Sequence, residues 1–461
     1  MTQVTTQYQK SLDPTFLCQY AIPHTFDQNL SFMKYSRIDS NLFVKNRKKL
    51  ADKMDNKSLA VFNSNDIYPT SSDGTLPFKQ HSDIFYLSGV DQEESILVVF
   101  PDCHDPALRE VLFLRETNEH IAVWEGAKLD KDAAFETSGI KTVYWLDQFE
   151  TIFTKMMAEA ENVYINLNEH LRAGTEVETR EDRFIKKLRN KYPAHTYKRS
   201  APILHYIRSI KEPEEIELMQ HACNITEKGI RRLLKFIKPG VWEHEIEAEL
   251  YHEFIRNRAS GFAYQPIIAS GGSACVLHYI ENNKECKDGD LILLDVGAEY
   301  ANYDSDLTRT LPANGKFSPR QREVYDAVMR VKNECFNMLK PGVTLPEYHK
   351  EVGKLMTSEL IGLKLLDQTD VKNENPAWPA YKKYFPHGTS HYIGLDTHDV
   401  GSWVEPMEEN MVFTIEPGIY IPEENIGIRI EDDIVIRSGG NFNLMGNIPI
   451  EADEIETLMN E

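Results

Sequence analysis

Residues 288–310 bring an apolar run, Leu-Ile-Leu-Leu, to an end in Asp295, and a second aspartate, Asp306, follows eleven residues later. The run reads as a buried strand. If the chain turns back at Tyr300 and Ala301, the two carboxylates stand opposite each other, where like charges repel. On a surface hairpin they would simply be solvated. At the end of a buried strand a carboxylate is instead paired, protonated or bound to a metal, and two facing each other point to a shared cation.

Three further polar clusters follow. The run from Pro386 through His387, His391 and His398 places three histidines within twelve residues. Met411-Val-Phe-Thr-Ile-Glu416 buries a carboxylate in a β-type run much as Asp295 is buried. Gly427-Ile-Arg429-Ile-Glu431 alternates, so Arg429 and Glu431 share one face. By itself that last segment is also what a salt-bridged surface strand looks like. Taken together, four carboxylates and one imidazole could hold two divalent ions with charges balanced. Oxygen-dominated ligation suits a hard ion such as manganese better than structural zinc. The His-Glu-x-x-His zinc signature is absent: His244-Glu245 begins it, but Ala248 stands where the second histidine would be, and His244 reads as a solvated helix residue.

The elements that must position these groups are legible around them. Residues 59–62, 84–87, 96–100, 111–114, 143–146 and 163–165 are short β-type runs, with helical stretches over 42–54, 149–161 and 178–191. Strands mixed with helices predict an α/β domain over residues 1–200. No catalytic constellation falls in it, and its His81, His104 and His120 read as satisfied or solvated. The second part, 201–461, opens at Ile210-Lys-Glu-Pro213, a helix start with acids beside the proline. Ile216, Met219, Cys223, Ile230, Leu233, Leu234 and Ile237 then recur at helical spacing. Ile246, Leu250 and Phe254 stripe a second helix, and 264–269 reads as a strand.

An internal repeat organises this part. Phe236-Ile-Lys-Pro-Gly-Val is echoed by Met338-Leu-Lys-Pro-Gly-Val, and Leu293-Leu-Asp295-Val-Gly by Thr414-Ile-Glu416-Pro-Gly, in the same order. Lys-Pro-Gly-Val alone is a common helix stop that chance could repeat. The ordered pair predicts a duplicated helix-helix-strand unit with one carboxylate, Asp295 or Glu416, at the matching strand position of each half.

At 461 residues the chain is long enough for two or three domains. Its 51 basic and 72 acidic residues give a net charge of −21, a surface that repels phosphate backbones and argues against nucleic-acid partners. Six cysteines, Cys18, Cys103, Cys223, Cys275, Cys286 and Cys335, form no Cys-x-x-Cys pair and read as free thiols in a reducing cytosol. The first residues lack a basic start before an apolar core, and no stretch approaches a membrane span. A cytoplasmic protein without membrane association is the expectation.

Leu-Leu-Asp295-Val-Gly, Ser-Asp306-Leu-Thr-Arg-Thr, His387-Gly-Thr-Ser-His391-Tyr-Ile-Gly-Leu-Asp-Thr-His398-Asp-Val-Gly, Ile-Glu416-Pro-Gly-Ile-Tyr and Arg429-Ile-Glu431-Asp together resemble the Xaa-Pro aminopeptidase (aminopeptidase P) branch of the pita-bread metallopeptidases. That resemblance covers the whole second part. Gln80-His-Ser-Asp-Ile-Phe-Tyr-Leu-Ser-Gly89 is similar to the family's amino-terminal domain. The implied fold is a creatinase-type α/β domain followed by an α+β pita-bread domain with pseudo-two-fold duplication. The implied cofactor is a pair of divalent ions, manganese first, with Asp295 on one ion, His391 and Glu416 on the other, and Asp306 and Glu431 on both. Glu416 would also carry the proton, His278, His387 and His398 would be donors to substrate, and Arg429 would orient Glu431.

The implied activity is release of the residue that precedes a second-position proline. Such a bond lacks an amide hydrogen and carries a ring on its nitrogen, so it calls for a dedicated pocket. A prolidase, which cuts dipeptides with the same ligands, is the alternative. Ser390 before His391, where prolidases typically have glycine, favours the aminopeptidase. Metal-free binding members of the fold lose ligands that are all present here. The family also implies a dimer or tetramer assembled through the first domain. Phe85 departs from relatives that can carry a tryptophan near the site.

Overall fold

The computed structural model describes residues 35–174 and 176–461, so Cys18 lies outside the described residues. In the first part, β1 (Ser58–Asn63), β2 (Ile96–Val99), β3 (Glu110–Leu114), β4 (Thr142–Trp145), β5 (Asn162–Ile165) and β6 (Thr196–Arg199) form one sheet in the order β4-β3-β2-β1-β5-β6. The β1–β2 and β2–β3 pairs are antiparallel and the other pairs parallel. Alternation along β1 serves both faces. Leu59 and Val61 pack with Phe149, Phe153, Met156 and Ile185 from the helices Phe149–Met157 and Arg180–Lys191. Ala60 and Phe62 join a larger core that continues into the second part through Leu204, Met219 and Leu294.

One expected strand is a helix. Residues 84–87 lie in the helix Ser82–Ser88, started by His81, whose Nδ1 accepts from the Asp83 amide at 3.2 Å, and stopped by Gly89 at φ 67°. An apolar run of this length, buried on every side, carries no period that separates strand from helix. His81 is therefore a satisfied cap. His104 and His120 are exposed, as is His244. Cys103, Cys223, Cys275, Cys286 and Cys335 are free thiols.

The duplicated unit of the second part is present. Helices Pro213–Phe236 and Glu243–Arg256 flank one Lys-Pro-Gly-Val, and Pro319–Met338 and Leu345–Gly362 flank the other, with Gly240 and Gly342 at φ 93° and 88° in the two linkers. The strands are β7 (Gly261–Phe262), β8 (Ile267–Ser270), β9 (Leu291–Val296), β10 (Ala298–Tyr300), β11 (Tyr303–Asp304), β12 (Leu307–Pro312), β13 (Val412–Ile415), β14 (Gly418–Ile421), β15 (Ile426–Arg429), β16 (Asp432–Val435) and β17 (Phe442–Asn443).

Each half is a long hairpin bent in the middle. In the first, β9 pairs with β12 and β10 with β11; in the second, β13 pairs with β16 and β14 with β15. The bend of the first falls at Gly297, where a side chain could not fit: a Cβ would lie 1.7 Å from the Ser305 carbonyl oxygen. The bend of the second falls at Pro417, which has no N–H for a ladder. Asp295 and Asp306 flank one bend, and Glu416 and Glu431 flank the other.

The register of the first hairpin differs from the expected one. The turn is Ala301-Asn302, both at positive φ (54° and 65°), so Asp295 pairs with Thr308 and Glu299 with Asp304. Two residues at positive φ make the tight turn whose twist suits a hairpin. Moving the turn by one residue shifts each partner by two, and side chains alternate with period two. Asp295 and Asp306 are therefore diagonal neighbours on one face instead of direct opposites.

Candidate active site

The bends of both hairpins open on one cavity of about 300 Å³, and all nine residues singled out in the sequence line it: His278, Asp295, Asp306, His387, His391, His398, Glu416, Arg429 and Glu431. His391 arrives on a segment that follows the edge of β13. The Thr414 amide donates to the His391 carbonyl at 3.0 Å and the Glu416 amide to the Thr389 carbonyl at 2.8 Å. Its Nδ1 lies 2.9 Å from the Tyr392 carbonyl, which accepts a hydrogen there and turns Nε2 towards Asp306 Oδ2 (3.5 Å) and Glu416 Oε1 (3.8 Å). A carbonyl that fixes the far nitrogen is the usual way a metal-binding imidazole is oriented.

One atom each from Asp306, His391 and Glu431 lie within 4.8 Å of one another, close enough to share an ion. Tyr264 Oη reaches Asp295 Oδ1 at 2.6 Å and Asp306 Oδ1 at 2.5 Å, so a single hydroxyl serves two carboxylates. The halves also brace each other. Thr308 Oγ1 of the first donates to Glu431 Oε2 of the second at 2.7 Å, and Asp433 Oδ2 of the second accepts the Asp306 amide at 3.1 Å. Arg429 is directed differently from expectation: its guanidinium pairs with Asp295 and donates to Tyr420 Oη at 2.8 Å and Thr308 Oγ1 at 3.1 Å. It reaches Glu431 only through Thr308.

Electrostatics follow from this crowding. Burial pushes the Asp295 carboxyl up, against the pull of Arg429 and with the push of Asp306. Glu431 is driven well above the carboxylate range by burial and by Asp306, Glu416 and Asp295. Burial raises Glu416 to about 7, although His391 and Arg429 pull it down. Burial opposes a charge on His391, but the hydrogen bond to Asp306 and the charge of Glu416 hold it at about 9. Four carboxylates, Asp306 and Glu431 buried and Asp295 and Glu416 partly so, face one arginine and one imidazole and are short of positive charge, a deficit that divalent cations fit.

His387 and His398 are neutral donors or acceptors. Burial and Arg429 hold His387 down at about 3; burial, His391 and Arg172 do the same for His398. Arginine can only donate. Arg429 therefore donates to Tyr420, Tyr420 to His387 Nε2 (2.7 Å), and His387 Nδ1 to the Gly388 carbonyl (2.7 Å). Arg172 likewise donates to His398 Nε2 at 2.9 Å, which leaves the His398 hydrogen on Nδ1.

Residues 217–438 match metallopeptidase family M24, and residues 43–164 match the aminopeptidase P N-terminal domain. The Xaa-Pro aminopeptidase of Escherichia coli is 36% identical over 439 residues, spanning 92% of this chain and 98% of its own length. That of Haemophilus influenzae is 34% identical over 403 residues, spanning 85% and 90%. A solved Escherichia coli aminopeptidase P variant in complex with substrate superposes with a TM-score of 0.82 at 33% identity, over 92% of this chain and 99% of that one. The chain belongs to the aminopeptidase P family of M24 metallopeptidases. Its fold is accordingly the family's amino-terminal domain joined to a pita-bread catalytic domain, and its cofactors are divalent metal ions.

Two residues noted in the sequence lie away from the aminopeptidase P cavity. Ser390 is buried with its Oγ 3.1 Å from Tyr348 Oη. Phe85 is buried edge-on against Phe43 and lines no part of the site. The sequence reasoning also missed residues. Tyr264, Thr308 and Asp433 act through contacts that no spacing announces, and Arg172 comes from the first part. A second cavity, about 440 Å³, shares Arg172 and His398 with the first and lies between the two parts. At that seam Arg208 pairs with Asp83 (2.7 Å), Asp396 (2.8 Å) and Asp399 (2.6 Å), while Lys211 holds Asp399 at 2.8 Å. Among the described residues no helix is long and apolar enough to cross a membrane.

Proposed function

We propose that this protein is a metal-dependent aminopeptidase that releases the first residue from peptides with proline in second position. The observation that carries the proposal is the meeting of two bends, one supplying Asp295 and Asp306 and the other Glu416 and Glu431, around His391 in a cavity deficient in positive charge. Asp295 would hold one ion, His391 and Glu416 the other, and Asp306 and Glu431 both, with manganese the preferred metal. Divalent ions at such a centre lower the pKa of water and polarise a carbonyl.

The chain's own groups carry the proton and hold the substrate. Glu416 takes a proton from the attacking water and returns it to the proline nitrogen, which has none of its own. His278 and His398 Nδ1 donate to oxygens of the peptide, where charge develops in the transition state. His387 has its own hydrogen committed to Gly388 and forms part of the wall with Tyr420. Arg429 fixes Asp295 and, through Thr308, the direction of Glu431.

We assign residues 1–200 and 201–461 as the two domains, a cytoplasmic location, no nucleic-acid or membrane partner, and a homo-oligomer, dimer or tetramer. The reading over a prolidase rests on family likeness, since Ser390 does not face the substrate. Metal analysis after manganese loading should find close to two ions per chain, and Arg-Pro-Pro should be cut with higher kcat/KM than Gly-Pro. Activity confined to dipeptides with a free carboxylate would make the protein a prolidase instead. A folded chain that retains no metal would remove the enzymatic reading altogether.

A further inference from the structure

The acidic helix Glu243–Arg256 has no part in the metal centre, yet it carries a fully buried carboxylate. Glu243 is 0% exposed. Its Oε1 accepts from the Ser270 amide (2.8 Å) and Ser270 Oγ (2.7 Å), and its Oε2 from Tyr279 Oη (2.8 Å) and the Lys284 amide (2.9 Å). One turn on, Glu247 Oε2 accepts from Asn282 Nδ2 at 2.8 Å, while Asn282 Oδ1 accepts the Ile268 amide at 3.1 Å. Among the described residues no cation pairs with Glu243: Lys284 Nζ turns instead to Ser273 Oγ at 2.5 Å.

These contacts fall at the two ends and the middle of one arch, residues 270–284. No helix or strand spans 276–284. Tyr279 points inward to Glu243, and its neighbours His278 and Ile280 face the catalytic cavity. Such an arch, lacking a ladder of its own, takes its shape from whatever pins it, and a displacement near 1 Å costs turnover heavily.

We propose that Glu243, with Glu247 beside it, is a positioning residue that sets His278 against the substrate. The inference rests on the reading of His278 as a donor to the peptide. Glu243→Gln keeps the shape but supplies one acceptor where the carboxylate supplied two; it should lower kcat about tenfold or more with little change in KM. Bound metal should stay within error of the parent, while the melting temperature falls because buried donors lose an acceptor. Glu243→Ala should lose more.

A cycle with His278→Ala decides the route. If Glu243 acts through His278, the double variant Glu243→Gln/His278→Ala should be no slower than His278→Ala alone, within about twofold. Multiplying losses, or a Glu243→Gln enzyme with unchanged kcat, would overturn the proposal. If His278→Ala itself turns over normally, the reading of His278 is what fails. Tyr279→Phe removes a single hydrogen bond to Glu243 and serves the same cycle should the Glu243 variants not fold. Its loss of kcat must likewise vanish in the His278→Ala background, and persistence there would count against the proposal.

Discussion

The two bent hairpins place carboxylates at matching corners, but they do not furnish them alike. The first bends at a glycine, turns in two residues and carries two aspartates, held from within the same half by Tyr264. The second bends at a proline, turns over the longer Pro422–Glu424 segment and carries two glutamates, one of them steadied by Thr308 from the first half. Short side chains on one side and long ones on the other bring four carboxylates to one cavity from corners that are not mirror images. What the duplication has kept is the bend. The side-chain length and the bracing have diverged.

Removing one long arm should cost most. Glu416→Gln is expected to lower kcat by about 100-fold or more, in the range of a lost acid–base group, and to reduce bound metal; steady-state kinetics with metal analysis measures both. An active variant would show that the glutamate corner is only structural. Breaking the ionic brace comes next. Arg429→Met leaves the largely enclosed Asp295 without its cation and should lower the stability of metal-free protein by about 3–5 kcal/mol. Bound divalent ions should shrink that loss, which urea unfolding with and without manganese would reveal.

A smaller effect is expected within the first half alone. Tyr264→Phe should weaken metal binding by about 10–100-fold, as for other groups that orient ligands, and should leave the fold intact; titration calorimetry reads it. A loss confined to KM would place Tyr264 against the substrate instead. The last effect lies outside the pair of hairpins and concerns a buried carboxyl. Glu181, which accepts from the Asn63 amide at 2.7 Å, is raised by burial from the ordinary 4.5 to about 8. Its folded form keeps the proton that the unfolded chain releases, so stability should fall as pH rises through that window and level off above it. The slope is about 1.4 kcal/mol per pH unit at most. Glu181→Gln should flatten the decline in unfolding experiments without altering bound metal. A parallel slope in both proteins would assign the titration elsewhere.

Much of the site was legible because its groups sit in short runs with fixed neighbours. Asp295 and Glu416 each end an apolar strand, and the echoing Lys-Pro-Gly-Val linkers tied those strands into one repeat. The hairpin register was not legible, since Ala301-Asn302 lacks the glycine that marks most turns of its kind. Parity nevertheless kept both aspartates on the correct face. Residues 84–87 looked like a strand because burial on all sides erases the period. The partners that hold the site in place, Tyr264, Thr308, Asp433 and Arg172, are isolated polar residues whose importance lies in tertiary proximity, which spacing does not encode. Arg429 was found, but its pairing with Asp295 instead of Glu431 depends on the fold.

The Arg208 clasp gives the seam between the two parts a bearing on how such enzymes change over generations. One buried cation is shared among Asp83 on the first side and Asp396 and Asp399 on the second, and those two aspartates flank the residue pair that carries His398. A lineage that lost Asp83 would strand part of that charge beside the loop that brings His398 to the cavity. Drift at this point of the first part is therefore answerable to turnover in the second, and grafting either part onto a relative would have to carry the matching side of the clasp with it.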